Sequence, residues 1–125
     1  AYADRMSRSL LVKVTAGPED AERCNQGLTV ASTAVAAGVE VSLWLTGDAV
    51  WFAVEGRSPD LGLEHAAPAS ELLEAVRAGG RVTVCTQCAR RRDVTEEDLL
   101  ADVRIAGAAA FVEEALADGV QALVY

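Results

Sequence analysis

Two cysteines three residues apart, Cys85 and Cys88, run directly into Arg90, Arg91 and Arg92, in a chain whose formal net charge is -8. A cysteine reacts as its thiolate, and neighbouring cations favour the thiolate over the thiol. The same cations would attract an anionic sulfur donor. Three consecutive arginines cannot all face one thiol, so one or two serve Cys85 and the rest balance Asp93, Glu96, Glu97 and Asp98. Residues 81–84 read as a short strand that ends at Cys85, and a strand end leading into a helix is a place where a thiol is held ready. The plainer reading is that cysteine is among the most buried residues and packs as a small hydrophobe. Strand-end position and charged neighbours favour a nucleophilic or sulfur-carrying Cys85. Cys88 either resolves an intermediate by forming a disulfide or is inert.

Rival chemistries find less support. A Cys-x-x-Cys after a strand is also the mark of a thioredoxin-type dithiol. That fold sets a cis-proline beside the dithiol, and here Pro18, Pro59 and Pro68 all precede Cys85. A dithiol-disulfide activity on another fold stays open. A structural zinc site needs four ligands, and Cys24 and His65 are the remaining soft or imidazole candidates. Cys24 belongs to the apolar stripe of a helix and His65 to a loop, so neither a metal nor another cofactor is expected. Gly17-Pro18-Glu19-Asp20 sits at a strand-to-helix turn but lacks a phosphate-loop pattern, and its carboxylates would repel phosphate. It reads as a helix start. Glu113-Glu114 and Glu96-Glu97-Asp98 read as solvated helix faces. Trp44 and Trp51 read as core or as cover for a subunit interface.

At 125 residues the chain has the size of one domain, and with 51% hydrophobic and 24% charged residues it has the balance of a packed one. Eleven basic against nineteen acidic residues leave no basic face for nucleic acid. No apolar run reaches the ~18 residues of a membrane span, and the start lacks the apolar core of a signal peptide. With three cysteines, two of them closely spaced, a secreted disulfide framework fits poorly, so a cytoplasmic setting is expected. Residues 1–8 carry no pattern and are expected to be a disordered or expression-derived terminus ahead of a single domain over residues 9–125.

The elements that would position Cys85 follow from periodicity. Residues 9–15 form an apolar, β-branched strand, and residues 18–37 a helix with Cys24, Leu28, Ala31 and Val35 inward. Residues 39–46 alternate as a second strand, taken to lie near a sheet edge. A short helical stretch at 49–54 is followed by a loop over 55–68. A helix over 71–78, capped by Ser70, puts Leu72, Leu73 and Val76 inward. After Cys85, Thr95 with Asp98 forms a capping-box pattern leading a short helix through Leu99 and Leu100. A marginal strand at 103–105 precedes an Ala-rich helix over 107–118, with Phe111, Ala115 and Leu116 inward, and a last strand at 120–125. Alternation of this kind gives a three-layer α/β/α domain with a mostly parallel five-stranded sheet. Its functional groups gather at the carboxyl ends of the strands.

With these residues in hand, the chain resembles the DsrE family, which includes the sulfur-relay subunits DsrE and TusD. The resemblance runs from the first strand and its Gly17-Pro18-Glu19-Asp20 turn, through Gly38-Val39-Glu40-Val41, to the Cys85 segment and the last helix and strand. In the relay subunits the sulfur-carrying cysteine ends a strand, with two arginines six and seven residues later and then a glycine. Cys85, Arg91 and Arg92 match that spacing, while Asp93 replaces the glycine. Cys88 stands at an alanine-like position and resembles instead the single-gene members of the family. The resemblance implies a sulfurtransferase-like carrier that forms a persulfide on Cys85 and passes it to a partner thiol, with Arg91 or Arg92 stabilising the anion. It implies a sulfur donor or acceptor protein as partner and a homo-oligomer between dimer and hexamer. Two alternatives remain: a redox protein cycling Cys85 and Cys88, and an oligomeric binding subunit whose thiols do nothing.

Overall fold

A computed structural model describes residues 8–125, so most of the expected disordered terminus lies outside the described residues. The first apolar run forms β1 (Ser9–Val14). Pro18 then opens a single 3-10 turn, Pro18–Asp20, and Asp20 caps the long helix α1 (Ala21–Ala36) by accepting the Arg23 N–H. The helix therefore starts three residues later than the proline suggests, because the Asp20 side chain supplies the cap. Strand β2 (Glu40–Leu45) leads into a 3-10 turn at Gly47–Ala53. Helix α2 (Ala69–Gly79) is capped by Pro68 and not by Ser70, since the N–H groups of Glu71 and Leu72 donate to the Pro68 carbonyl. Then come β3 (Arg81–Cys85), the short helix α3 (Thr86–Arg91), β4 (Arg104–Ala106), α4 (Ala108–Leu116) and β5 (Val120–Val124). The Thr95–Asp98 capping box forms, but it leads only the 3-10 turn Glu96–Asp98, and Leu99 is already extended.

The five strands are all parallel, in the order β4-β3-β2-β1-β5. β2 is thus the central strand, and the expectation of an edge position is corrected. Its polar alternation reflects a second sheet face that carries polar groups, not solvent beside the strand. On the first face Val12, Val14, Leu43, Leu45, Val82 and Val84 pack with Cys24, Leu28 and Ala31 of α1 and Leu73 and Val76 of α2, all essentially without exposure. The second face is covered by α4.

That cover is held by one carboxylate. Glu114 accepts from Ser42 Oγ at 2.5 Å, Trp44 Nε1 at 3.2 Å and Arg81 Nη2 at 3.0 Å, and pairs with Arg104. It was read from sequence as part of a solvated acidic face, yet its side chain is only 17% exposed. Beside it Phe111 meets Trp44 edge to face, with ring centroids 5.3 Å apart. Trp44, at 1% exposure, is therefore core and covers no subunit interface. Leu116 is corrected in the opposite sense: expected inward, it is 78% exposed, because Phe111 and Glu114 set which side of α4 meets the sheet.

The Glu114 carboxyl has a lowered pKa: burial works against its charge, but the hydrogen bonds from Ser42 and Trp44 and the charge of Arg81 outweigh that. A group whose folded pKa lies below its unfolded value contributes stability above the unfolded value, near ~4.3, and loses it as pH falls through the folded one. Glu114→Gln is predicted to lower the unfolding free energy at neutral pH by about 1–3 kcal/mol in urea denaturation, because buried donors lose a charged acceptor. The gap between the variant and the wild type closes as the pH is taken below ~4.

Candidate active site

Cys85 is the last residue of β3, paired in register with Ala106 of β4. Strand alternation puts its side chain on the second face, with Thr83 and Arg81. One rung back on that face the row reads Lys13, Trp44, Thr83 and Arg104 across four strands. Arg104 Nε donates to Thr83 Oγ1 at 2.7 Å and its guanidinium lies over the Trp44 ring. Lys13 Nζ lies 4.9 Å from the centre of the Phe111 ring.

The backbone turns from strand to helix at Cys85 itself, which occupies the N-cap position of α3. Gln87 and Cys88 then stand where free N–H groups of a first helical turn point back toward the cap. The sulfur closes no ideal capping bond, but the effect on its acidity is clear. Burial alone would raise the pKa; the Cys88 N–H, the Cys88 thiol, the Gln87 N–H and the charge of Lys13 together bring it below the ordinary cysteine value. The cation that contributes is Lys13, not an arginine. Cys24 shows the converse: in the core of α1, with no exposure, its thiol is pushed up to about 12 by burial and by the charge of Glu19.

Cys88 is buried, at 9% exposure, three residues after Cys85 in the first turn of the helix that Cys85 caps. Arg92 is held in place: Nε and Nη2 donate to Asp48 Oδ1 at 3.0 and 2.8 Å, and Nη1 donates to the Cys88 carbonyl at 3.1 Å. Asp48 is itself fixed by close packing of two strand ends. A Cβ at Gly17 would stand 2.7 Å from the Asp48 carbonyl oxygen, and Gly47, at φ 56°, would place one 2.8 Å from that of Thr15. Arg90 and Arg91 are exposed at the far end of α3, and Arg91 begins about 9 Å beyond Cys85 along the helix axis. Asp93 takes φ 54°, the left-handed conformation natural to glycine and tolerated by aspartate. His65 is exposed in the loop before α2. Among the described residues no group of three or more His, Cys, Asp or Glu side chains is placed to hold a metal ion. Nor is any helix long and apolar enough to cross a membrane. A concavity of about 470 Å³ lies at the opposite end of the sheet, bordered by Ser9, Glu40, Ser42, Gly80 and Arg81.

Lys13 and Glu114 are the two residues of this environment that sequence reasoning missed. The available signal for Lys13 was a lone lysine inside an otherwise apolar strand.

A family model described as the DsrE/DsrF-like family matches residues 8–124. The chain is 32% identical over 98 residues to the uncharacterized protein MK0008 of Methanopyrus kandleri, covering 78% of each chain. It is also 32% identical over 96 residues to the uncharacterized protein MJ0989 of Methanocaldococcus jannaschii, covering 76% of this chain and 81% of that one. Among solved structures it is similar to the ychN protein of E. coli, with a TM-score of 0.74 at 20% identity over 93% of this chain and 99% of that chain. The protein of unknown function MTH1491 of Methanobacterium thermoautotrophicum gives a TM-score of 0.71 at 13% identity, over 95% and 100% of the two chains. At these identities the likeness to the two structures is one of fold.

Alkylation of the native protein against pH is predicted to show Cys85 half-reacted below the ~8.5 of a free cysteine, while Cys24 stays unreactive until the chain is unfolded. Lys13→Met moves the Cys85 midpoint up, and Arg91→Ala leaves it in place.

Proposed function

The chain belongs to the DsrE/DsrF-like family, and from that membership we propose that it is a sulfur carrier whose Cys85 holds sulfane sulfur as a persulfide. The observation that carries this reading is the half-buried strand-end thiol whose pKa is lowered by the helix N–H groups and Lys13. The loading step balances without an external oxidant. The Cys85 thiolate attacks the terminal sulfur of a donor persulfide, the donor's S–S bond breaks, and the donor leaves as its thiolate. Unloading is the same exchange onto a partner's thiolate. The positive environment that favours the thiolate also favours the persulfide anion, which carries the same charge one sulfur further out. Arg91, exposed on the same helix, is assigned to meet the anionic donor. Arg92, through Asp48 and the Cys88 carbonyl, is assigned to keep α3 and its N–H groups in place. The carrier works in a reducing compartment, the cytoplasm, with a donor or acceptor protein as partner.

The reading includes assembly with further copies of the chain. α4 and β5 contain no fully buried residue, and Val112, Leu116 and Val124 are 51%, 78% and 63% exposed. Apolar side chains of this size left open together suit a protein interface. Sedimentation is expected to show a species larger than the 13.1 kDa chain, and Leu116→Glu to return it toward the monomer.

Intact-mass measurement after incubation of the reduced protein with a persulfide donor tests the carrier role. The expected result is a gain of one sulfur atom that dithiothreitol removes and that Cys85→Ser abolishes. No gain, or a gain that survives Cys85→Ser, removes the proposal.

A further inference from the structure

The persulfide reading of Cys85 leaves Cys88 without a task, although the fold sets it in the first turn of the helix that Cys85 caps, three residues further on. Burial divides the pair. Cys85 is partly exposed and open to a donor, whereas Cys88, in the first turn of α3, is buried at 9% exposure. A donor therefore meets Cys85 first, and Cys88 meets only what Cys85 carries. We infer that Cys88 is a resolving thiol that attacks the inner sulfur of a Cys85 persulfide and discharges the outer sulfur as hydrogen sulfide; the inference rests on the persulfide reading.

The step balances within the protein. A new bond forms between the Cys88 and Cys85 sulfurs, and the bond between Cys85 sulfur and the outer sulfur breaks. The outer sulfur takes the electron pair and, with the Cys88 proton, leaves as hydrogen sulfide. Two cysteine thiols have been oxidised to a disulfide, and one sulfane sulfur has been reduced to sulfide. A low-molecular-weight thiol then reopens the disulfide by two exchange steps and is itself converted to its disulfide.

Geometry permits closure with a small movement. Residues three apart on a helical turn have Cβ atoms about 5–6 Å apart, and a disulfide needs about 3.5–4.5 Å. The difference falls at the junction of β3 and α3, where Cys85 is extended and α3 is only six residues long. The consequence is a carrier with a limited holding time: with an acceptor thiol present the sulfur is passed on, and without one it is released as sulfide.

The test loads reduced wild type, Cys88→Ala and Cys88→Ser with inorganic polysulfide. Excess donor is removed, and intact mass and released sulfide are followed over time. Cys88→Ser retains side-chain size and Cys88→Ala avoids a buried hydroxyl, so a packing defect in one does not decide the matter. Wild type is expected to gain one sulfur, then lose it as sulfide and end two hydrogens lighter than the reduced protein, with Cys85 and Cys88 joined in the peptide map. Both variants are expected to hold the persulfide at least about tenfold longer, since they lack the neighbouring nucleophile. Equal lifetimes in wild type and variants, with no Cys85–Cys88 disulfide, overturn the inference and leave the persulfide reading standing. No sulfur gain by any of the three overturns both.

Discussion

A single carboxylate on α4 decides how the second face of the sheet is closed. Glu114 gathers donors from β2, β3 and β4, namely Ser42, Trp44, Arg81 and Arg104, and so ties the last helix across three strands at once. The first face needs no such device, because across β1, β2 and β3 it is apolar and burial against α1 and α2 is enough. On the second face polar and cationic side chains stand among the apolar ones, and an unpaired guanidinium beneath a helix would be costly. Glu114 offsets that cost and fixes the rotation of α4. The rotation puts Phe111 edge-on to Trp44 and under Lys13. The charge nearest in effect to Cys85 is thus placed by a contact with a helix that the cysteine does not itself belong to.

Two cysteines of this chain shift in opposite directions. Cys24 and Cys85 both lose water contact, and for each burial is the largest influence, raising the pKa. They part because Cys24 lies within α1, where the backbone N–H groups are already engaged by the preceding turn, and the charge acting on it is that of Glu19. Cys85 lies at the cap of α3, where N–H groups are unengaged, and has Lys13. The arginine triplet contributes otherwise: Arg92 binds Asp48 and the Cys88 carbonyl, so its charge is spent on joining the end of α3 to the turn after β2.

The alternation of strands and helices, the parallel five-stranded sheet and the strand-end position of Cys85 were legible because each is written in local periodicity and in the residues that break it. The position of β2 was not, since a central strand with one polar face alternates as an edge strand does; Ser42 and Trp44 are polar or large because α4 and Glu114 lie over them. Lys13 was illegible for a related reason. Its neighbour across the sheet depends on strand order, and nothing within residues 9–14 carries that order. Leu116 was misassigned because α4 is apolar on most sides, so periodicity alone does not choose the side that faces the sheet. Glu114, adjacent to Glu113 in sequence, differs from it only in which way the helix turns.

Cys85 and the unburied apolar surface share one side of the sheet. Val124 is in register with Lys13 on the second face, and Val112 and Leu116 project from the helix that covers it. The proposed assembly seats a second copy on α4 and β5, on this side of the sheet. A sheet with one apolar face and one mixed face therefore separates the two demands made on the chain: the first supplies the bulk of the burial, and the second holds the charge, the thiol and the surface left for partners.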